Sequence, residues 1–177
     1  MVYETQINGC KIALLEEGNY YLCDSQFNKI YPISFQDLKH KFLNYFIGKR
    51  NDKWALLDSL GKIYTKYIYT KILWFEADLF LCYNDGWTLV NKRNHNVLNE
   101  KFKYLISLKN GIAIFQHQNE FIFVNGYEII LNRVRYINDD ASFNGADMAL
   151  IHLEDGRIGW LKKNGEWHLT PTILHNV

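Results

Sequence analysis

The residues of this chain whose types and spacing come nearest to doing chemistry are the carboxylates Asp139, Asp140, Asp147 and Glu154. Two carboxyl groups flanking a glycosidic bond can hydrolyse it, one donating a proton while the other stays ionised. Here the pairing starts from neighbouring aspartates in the polar run Asn138-Asp139-Asp140-Ala141-Ser142, and such runs usually lie on loops as solvated charge. Metal chemistry has less to build on. His117, His152, His168 and His175 show no His-x-x-x-His spacing, and Cys10, Cys23 and Cys82 form no Cys-x-x-Cys. Neither a Gly-x-Ser-x-Gly elbow nor a phosphate-cradling glycine loop occurs. The expectation is a protein without catalytic residues, metal or cofactor.

The elements that position these groups come from an internal repeat. Tyr20, Trp54, Trp87, Phe121 and Ile158 stand 34, 33, 34 and 37 residues apart, and each opens a similar segment. The segments are Tyr20-Tyr21-Leu22-Cys23-Asp24, Trp54-Ala55-Leu56-Leu57-Asp58, Trp87-Thr88-Leu89-Val90-Asn91, Phe121-Ile122-Phe123-Val124-Asn125 and Ile158-Gly159-Trp160-Leu161-Lys162. Four of them end in Asp or Asn with Gly or Asn shortly after, which is the chemistry of a hairpin turn. A second large side chain follows fifteen residues after each of the first four anchors, at Phe35, Tyr69, Phe102 and Tyr136. Runs such as Leu79-Phe80-Leu81-Cys82-Tyr83 and Gly111-Ile112-Ala113-Ile114-Phe115 have the β-branched and aromatic make-up of strands. The predicted fold is all-β, with about five stacked repeats of roughly 34 residues. Each repeat is a β-hairpin plus a short third strand, and together they form an open spiral or a propeller-like domain. One short helix is predicted near 35–45. Ser34 and Asp37 form a helix-start signal there, and Phe35, Leu38, Phe42 and Tyr45 fall at helical spacing.

Two stretches resemble the WG, or KWG, repeat of bacterial proteins. They are Trp54-Ala55-Leu56-Leu57-Asp58-Ser59-Leu60-Gly61-Lys62 and Gly156-Arg157-Ile158-Gly159-Trp160-Leu161-Lys162-Lys163-Asn164-Gly165-Glu166. The second half of the family pattern is matched by Tyr69, Ile72 and Phe75, and by Phe102, Leu105 and Leu108 with Asn110-Gly111-Ile112-Ala113. The copies are degenerate, and none keeps the Trp-Gly pair in its usual register. The resemblance implies a β-repeat protein over about residues 8–170.

Composition fits one soluble unit, a single domain spanning 1–177. Apolar residues make up 48% of the chain, and 11 Phe, 12 Tyr and 5 Trp give it the aromatic content that stacked small sheets need. The 20 basic residues nearly cancel 19 acidic ones, for a net charge of +1, which argues against a strong pull towards nucleic acid. No run is long and apolar enough to span a bilayer, and Met1-Val2-Tyr3-Glu4 lacks the charged start of a signal peptide, so a cytoplasmic location is expected. Cys23 fills a slot that holds Leu57, Val90, Val124 and Leu161 in the other copies, and reads as a small core residue.

The last anchor spacing is three residues longer than the others, and the extra length falls after Tyr136. Repeat proteins tend to place such insertions on a binding face. The partner-binding candidates are therefore Tyr136, Asn138, Asp139, Asp140 and Asp147. The function expected is a non-enzymatic protein-binding module, in particular an immunity protein that neutralises a cognate bacterial toxin. The alternative is a glycan-binding protein or small glycoside-processing enzyme using Trp74, Trp87, Trp160 or Trp167.

Overall fold

The computed structural model describes residues 11–14, 19–109, 111–117, 120–126, 128–134, 148–152, 157–162 and 164–169. Five antiparallel sheets follow one another along the chain. The first pairs β1 (Lys11–Leu14) with β2 (Tyr20–Cys23), and the second is β3 (Asp37–Phe42), β4 (Tyr45–Arg50) and β5 (Lys53–Asp58). The third is β6 (Lys71–Glu76), β7 (Leu79–Tyr83) and β8 (Trp87–Asn91). The fourth has four strands, β9 (Tyr104–Lys109), β10 (Ile112–His117), β11 (Glu120–Asn125) and β12 (Glu128–Val134). The fifth is β13 (Met148–His152), β14 (Ile158–Lys162) and β15 (Trp167–Leu169). The repeated all-β architecture is thus the one the sequence predicts.

The fifteen-residue offset between anchors has a backbone cause. Tyr20 donates its N–H to the Phe35 carbonyl at 2.9 Å and accepts from the Phe35 N–H at 2.9 Å. Trp87 and Phe102 exchange the same two bonds at 2.7 and 2.9 Å, and Trp54 donates to Tyr69 at 2.7 Å. An inner bond repeats as well, from the amides of Ile30, Tyr64 and Val97 to the carbonyls of Leu22, Leu56 and Leu89 at 2.8–2.9 Å. In these three copies the return segment is therefore held at two bridges rather than as a regular strand. The fourth copy differs. Its hairpin is tighter, pairing Asn125 with Glu128, and two irregularities follow, so Phe121 faces Val134 and the return segment becomes the full strand β12.

The chain forms two compact units, one of Met1–Trp74, Asp78–Asp85 and Leu89–Val97, the other of Phe75–Ala77, Gly86–Thr88 and Leu98–Val177. In the first unit, the second sheet is covered on both faces. Phe46 and Leu57 join Leu22, Phe35 and Leu38 in one cluster, while Ile47 and Leu56 join Tyr69, Phe80 and Val90 in another. Neighbouring strand residues point to opposite faces, so double coverage makes β4 and β5 read as continuous apolar runs rather than alternations. In the second unit the core gathers Ile112, Ile114, Phe123, Ile151 and Leu161.

The helix predicted near 35–45 is not formed; β3 occupies that stretch. Leu38 and His40 share one face, where Leu38 is buried and His40 meets Phe46 edge-on at 5.3 Å; past an irregularity in the pairing with β4, Phe42 lies on the other face with Tyr45 and stacks on Trp74 at 4.0 Å. Pairing with β4 through a tight turn at Leu43 (φ 48°) satisfies the backbone there, and this non-local pairing overrides the local helical spacing. Among the described residues, no helix is long and apolar enough to cross a membrane.

Each of the three described second anchors packs thirteen residues further on, against an inner strand of the next sheet. Phe102 stacks on Phe115 with centroids 4.1 Å apart, and Tyr69 shares a cluster with Cys82. Phe35 lies over Gly48, where an added Cβ would sit 2.3 Å from a ring carbon. Gly48→Ala must therefore displace the ring. We expect a loss of about 1–3 kcal/mol in urea unfolding, part of it recovered in Gly48→Ala/Phe35→Leu; a neutral Gly48→Ala would contradict this packing.

Candidate functional site

The turn after each anchor segment is built the same way. In 24–28, 58–62 and 91–95, the first residue's side-chain Oδ1 accepts the N–H groups two and four residues on, at 2.8–3.1 Å. The fourth residue of each takes the left-handed conformation, at Phe27 (φ 65°), Gly61 (φ 78°) and Asn94 (φ 61°). This is a three-residue hairpin loop pinned by an Asp or Asn. The turn at 162–166 keeps the two backbone bonds, although Lys162 stands where the others have Asp or Asn.

Two of these turns line an open cleft of about 440 Å³ whose walls are Tyr45, Lys62, Ile63, Tyr64, Lys92 and Arg93. Its base is a hydrogen-bonded aromatic network. Tyr64 donates its hydroxyl to Asp58 Oδ2 at 2.9 Å, and Tyr45 donates to Asp78 Oδ1 at 2.6 Å. Asp78 Oδ2 is bound by Lys92 Nζ. The Tyr45 ring meets Tyr64 edge-on at 6.1 Å and Phe80 at 5.1 Å, and Lys62 Nζ lies 5.4 Å over the Tyr64 ring. On one edge of the network, Tyr69 donates its hydroxyl to Asn94 Oδ1 at 3.3 Å.

Burial, then the Asp78 hydrogen bond and charge, push the Tyr45 phenol well above its usual range. Burial, then the Asp58 bond, raise Tyr64 in the same direction. The hydrogen bonds of Lys92 and then Tyr45 hold Asp78 below the usual carboxylate range, against an opposing effect of burial. At neutral pH both phenols thus stay protonated and engaged, Asp78 stays ionised and engaged, and the cleft offers cations and ring faces.

Sequence reasoning missed this site, although one signal was available. Tyr64 stands where the sister copies have Ile30 and Val97, and Tyr45 faces Asp58 in register as Ile112 faces Asn125. Two phenols in aliphatic positions need acceptors, and each has one. The residues proposed from sequence, Tyr136, Asn138, Asp139, Asp140 and Asp147, lie outside the described residues, as do Cys10, Glu154 and His175. Cys23 and Cys82 are buried, and burial pushes both thiols up. His168 is exposed, 3.8 Å from Glu166. Of the tryptophans named for a saccharide groove, Trp87 is buried and Trp74 stacks on Phe42. Trp160 is 36% exposed, but Trp167 pairs with Leu161 and so lies on the other face of that sheet.

The network predicts how stability changes with pH. A carboxylate lowered in the folded state stabilises above its unfolded pKa and loses that contribution as pH falls through its folded value. We expect stability to drop below about pH 4 and Asp78→Asn to flatten that limb, by no more than about 1 kcal/mol given its exposure. A raised phenol stabilises below about pH 10 and loses that contribution above it, so Tyr45→Phe shrinks the alkaline loss. Urea unfolding at stepped pH checks both; limbs that superimpose on those of the unsubstituted chain count against the network.

No family model matches the chain, and no curated protein sequence matches it. Among solved structures it is similar to BamB from Moraxella catarrhalis, at TM-score 0.42 and 8% identity over 88% of this chain and 55% of that one. It is also similar to Kluyveromyces lactis Hsv2, at TM-score 0.42 and 12% identity over 93% of this chain and 61% of that one. A third is PorZ, a bacterial surface component of the type-IX secretion system of Porphyromonas gingivalis, at TM-score 0.37 and 12% identity over 96% of this chain and 28% of that one. The chain spans 55% and 61% of the length of the first two structures.

Proposed function

We propose that this chain is a non-enzymatic protein-binding module. The observation that carries the reading is the cleft at which turns of successive repeats meet, where cations stand beside tyrosine ring surfaces. Repeat architectures present their variable side chains on such shared edges, and aromatic and Arg-rich patches are where interface energy concentrates. The raised phenols and committed carboxylates favour holding a partner over activating a nucleophile.

The finer form of the proposal is an immunity protein that covers a cognate bacterial toxin. Its support is the acidic run at Asp139 and Asp140, whose charge suits a basic nuclease surface.

The test is affinity capture with the tagged chain in its host, followed by binding of the identified protein in purified form. One stoichiometric partner is expected, bound directly with a sub-micromolar dissociation constant, on the order of that of standard-size interfaces. If that partner is toxic, co-expression of the chain restores growth. A harmless partner removes the immunity form, and failure to find any direct protein partner removes the module. Capture that is equal with Asp139→Lys/Asp140→Lys removes the acidic run from the interface.

A further inference from the structure

We propose that the cleft between the 58–62 and 91–95 turns receives a single acidic side chain, Asp or Glu, presented by the protein partner; this rests on the protein-binding reading above. Arg93 and Lys62 line the cleft, and among the described residues neither side chain forms an ion pair. Lys62 is occupied only by the Tyr64 ring beneath it, a contact that leaves its ammonium protons available. Arg93 presents a planar fork that matches a carboxylate with two parallel hydrogen bonds.

Charge selects the occupant. Lys92 is neutralised by Asp78, and the Asp58 carboxylate sits behind Tyr64. Three cations against two carboxylates leave one positive charge to be met. A carboxylate side chain matches it. A phosphate dianion brings an excess negative charge close to Asp58 and Asp78, where partial burial strengthens the repulsion.

Shape points the same way. The volume, about 440 Å³, lies at the small end of the range for ligand sites and admits a carboxylate side chain together with the stretch of partner chain that carries it. The Ile63 side chain and the Tyr64 and Tyr45 rings supply apolar wall for the side-chain stem, with the cations at its tip. The site is also organised in advance. The Arg93 backbone N–H is held by Asn91 Oδ1 at 2.9 Å, and the Tyr64 hydroxyl by Asp58, so little ordering is left to do on binding.

The test is a proton–nitrogen correlation NMR titration of the full chain with three probes: an end-capped hexaglutamate peptide, the matching hexaglutamine peptide and inorganic phosphate. Hexaglutamate is expected to shift the amide signals of Lys62, Ile63 and Arg93 saturably, while hexaglutamine leaves them in place. Arg93→Gln is expected to weaken hexaglutamate about fivefold, as loss of one exposed charge pair does, with the rest of the spectrum unchanged. Phosphate acting at equal or lower concentration on the same signals overturns the carboxylate assignment. Absence of a saturable shift, or unchanged affinity in Arg93→Gln, overturns the site. A captured partner that binds Arg93→Gln as tightly as the unsubstituted chain keeps the protein-binding reading and removes this cleft from it.

Discussion

In three copies the amide of the first anchor donates to the carbonyl of the second, at Tyr20–Phe35, Trp54–Tyr69 and Trp87–Phe102, and the packing of those sheets depends on that bridge. Closing a fifteen-residue loop has an entropic cost, and between the bridges the return segment has few regular ladder bonds to offset it. The offset comes from the second anchor's side chain, which is buried at 1%, 7% and 3% exposure at Phe35, Tyr69 and Phe102. The bridge fixes where each of these rings points, and each points into the next sheet, at Gly48, Cys82 or Phe115. One backbone interaction thus closes a sheet and docks it on its successor. Gly48 shows how tight the fit is, since the Phe35 ring occupies the space a β-carbon would need.

The turns follow from the same geometry. A return segment that must reach the bridge has to leave the hairpin at a fixed angle, and the Asp or Asn at the head of the turn sets it by holding two amides. Because the carboxylate or amide side chain does this work, the pinning asks nothing of the side chains of the turn's second and third residues. They are Ser25 and Gln26 in one turn, Ser59 and Leu60 in the next, and Lys92 and Arg93 in the third. Two of the cleft's cations, Lys92 and Arg93, stand at such positions. In the fourth copy the two-residue turn removes this freedom, and the return segment instead runs as β12 with two irregularities in its pairing.

The period, the anchors and the turn residues were legible in the sequence because each is a local pattern repeated at a fixed interval. The helix near 35–45 was misread because Phe35, Leu38, Phe42 and Tyr45 have helical spacing for unrelated reasons. Phe35 is an anchor, Leu38 and Phe42 lie on opposite faces of β3 across an irregularity in its pairing, and Tyr45 starts β4. No short window distinguishes these roles; the pairing of β3 with β4 does. The cleft was less legible still. Tyr45 finds Asp78 across 33 residues, and Lys92 reaches the same carboxylate from 14 residues further on. Periodicity places residues in layers, but it does not say which polar group in one layer meets which in the next.

Tyr45 and Tyr64 also explain why the cleft ends in open charge. A phenol in an aliphatic position must find an acceptor or bear a desolvation cost of about 1–3 kcal/mol. Asp78 and Asp58 supply the acceptors at 2.6 and 2.9 Å, which brings two carboxylates to the edge of an apolar cluster. A carboxylate there needs balance in turn. Asp78 obtains it from Lys92, and Asp58 from the turn amides of Leu60 and Lys62. With both carboxylates satisfied, the remaining cations, Lys62 and Arg93, have no internal task. A charge left over after the interior is balanced, held on a pinned turn beside a ring face, is available to a partner at little cost to the fold.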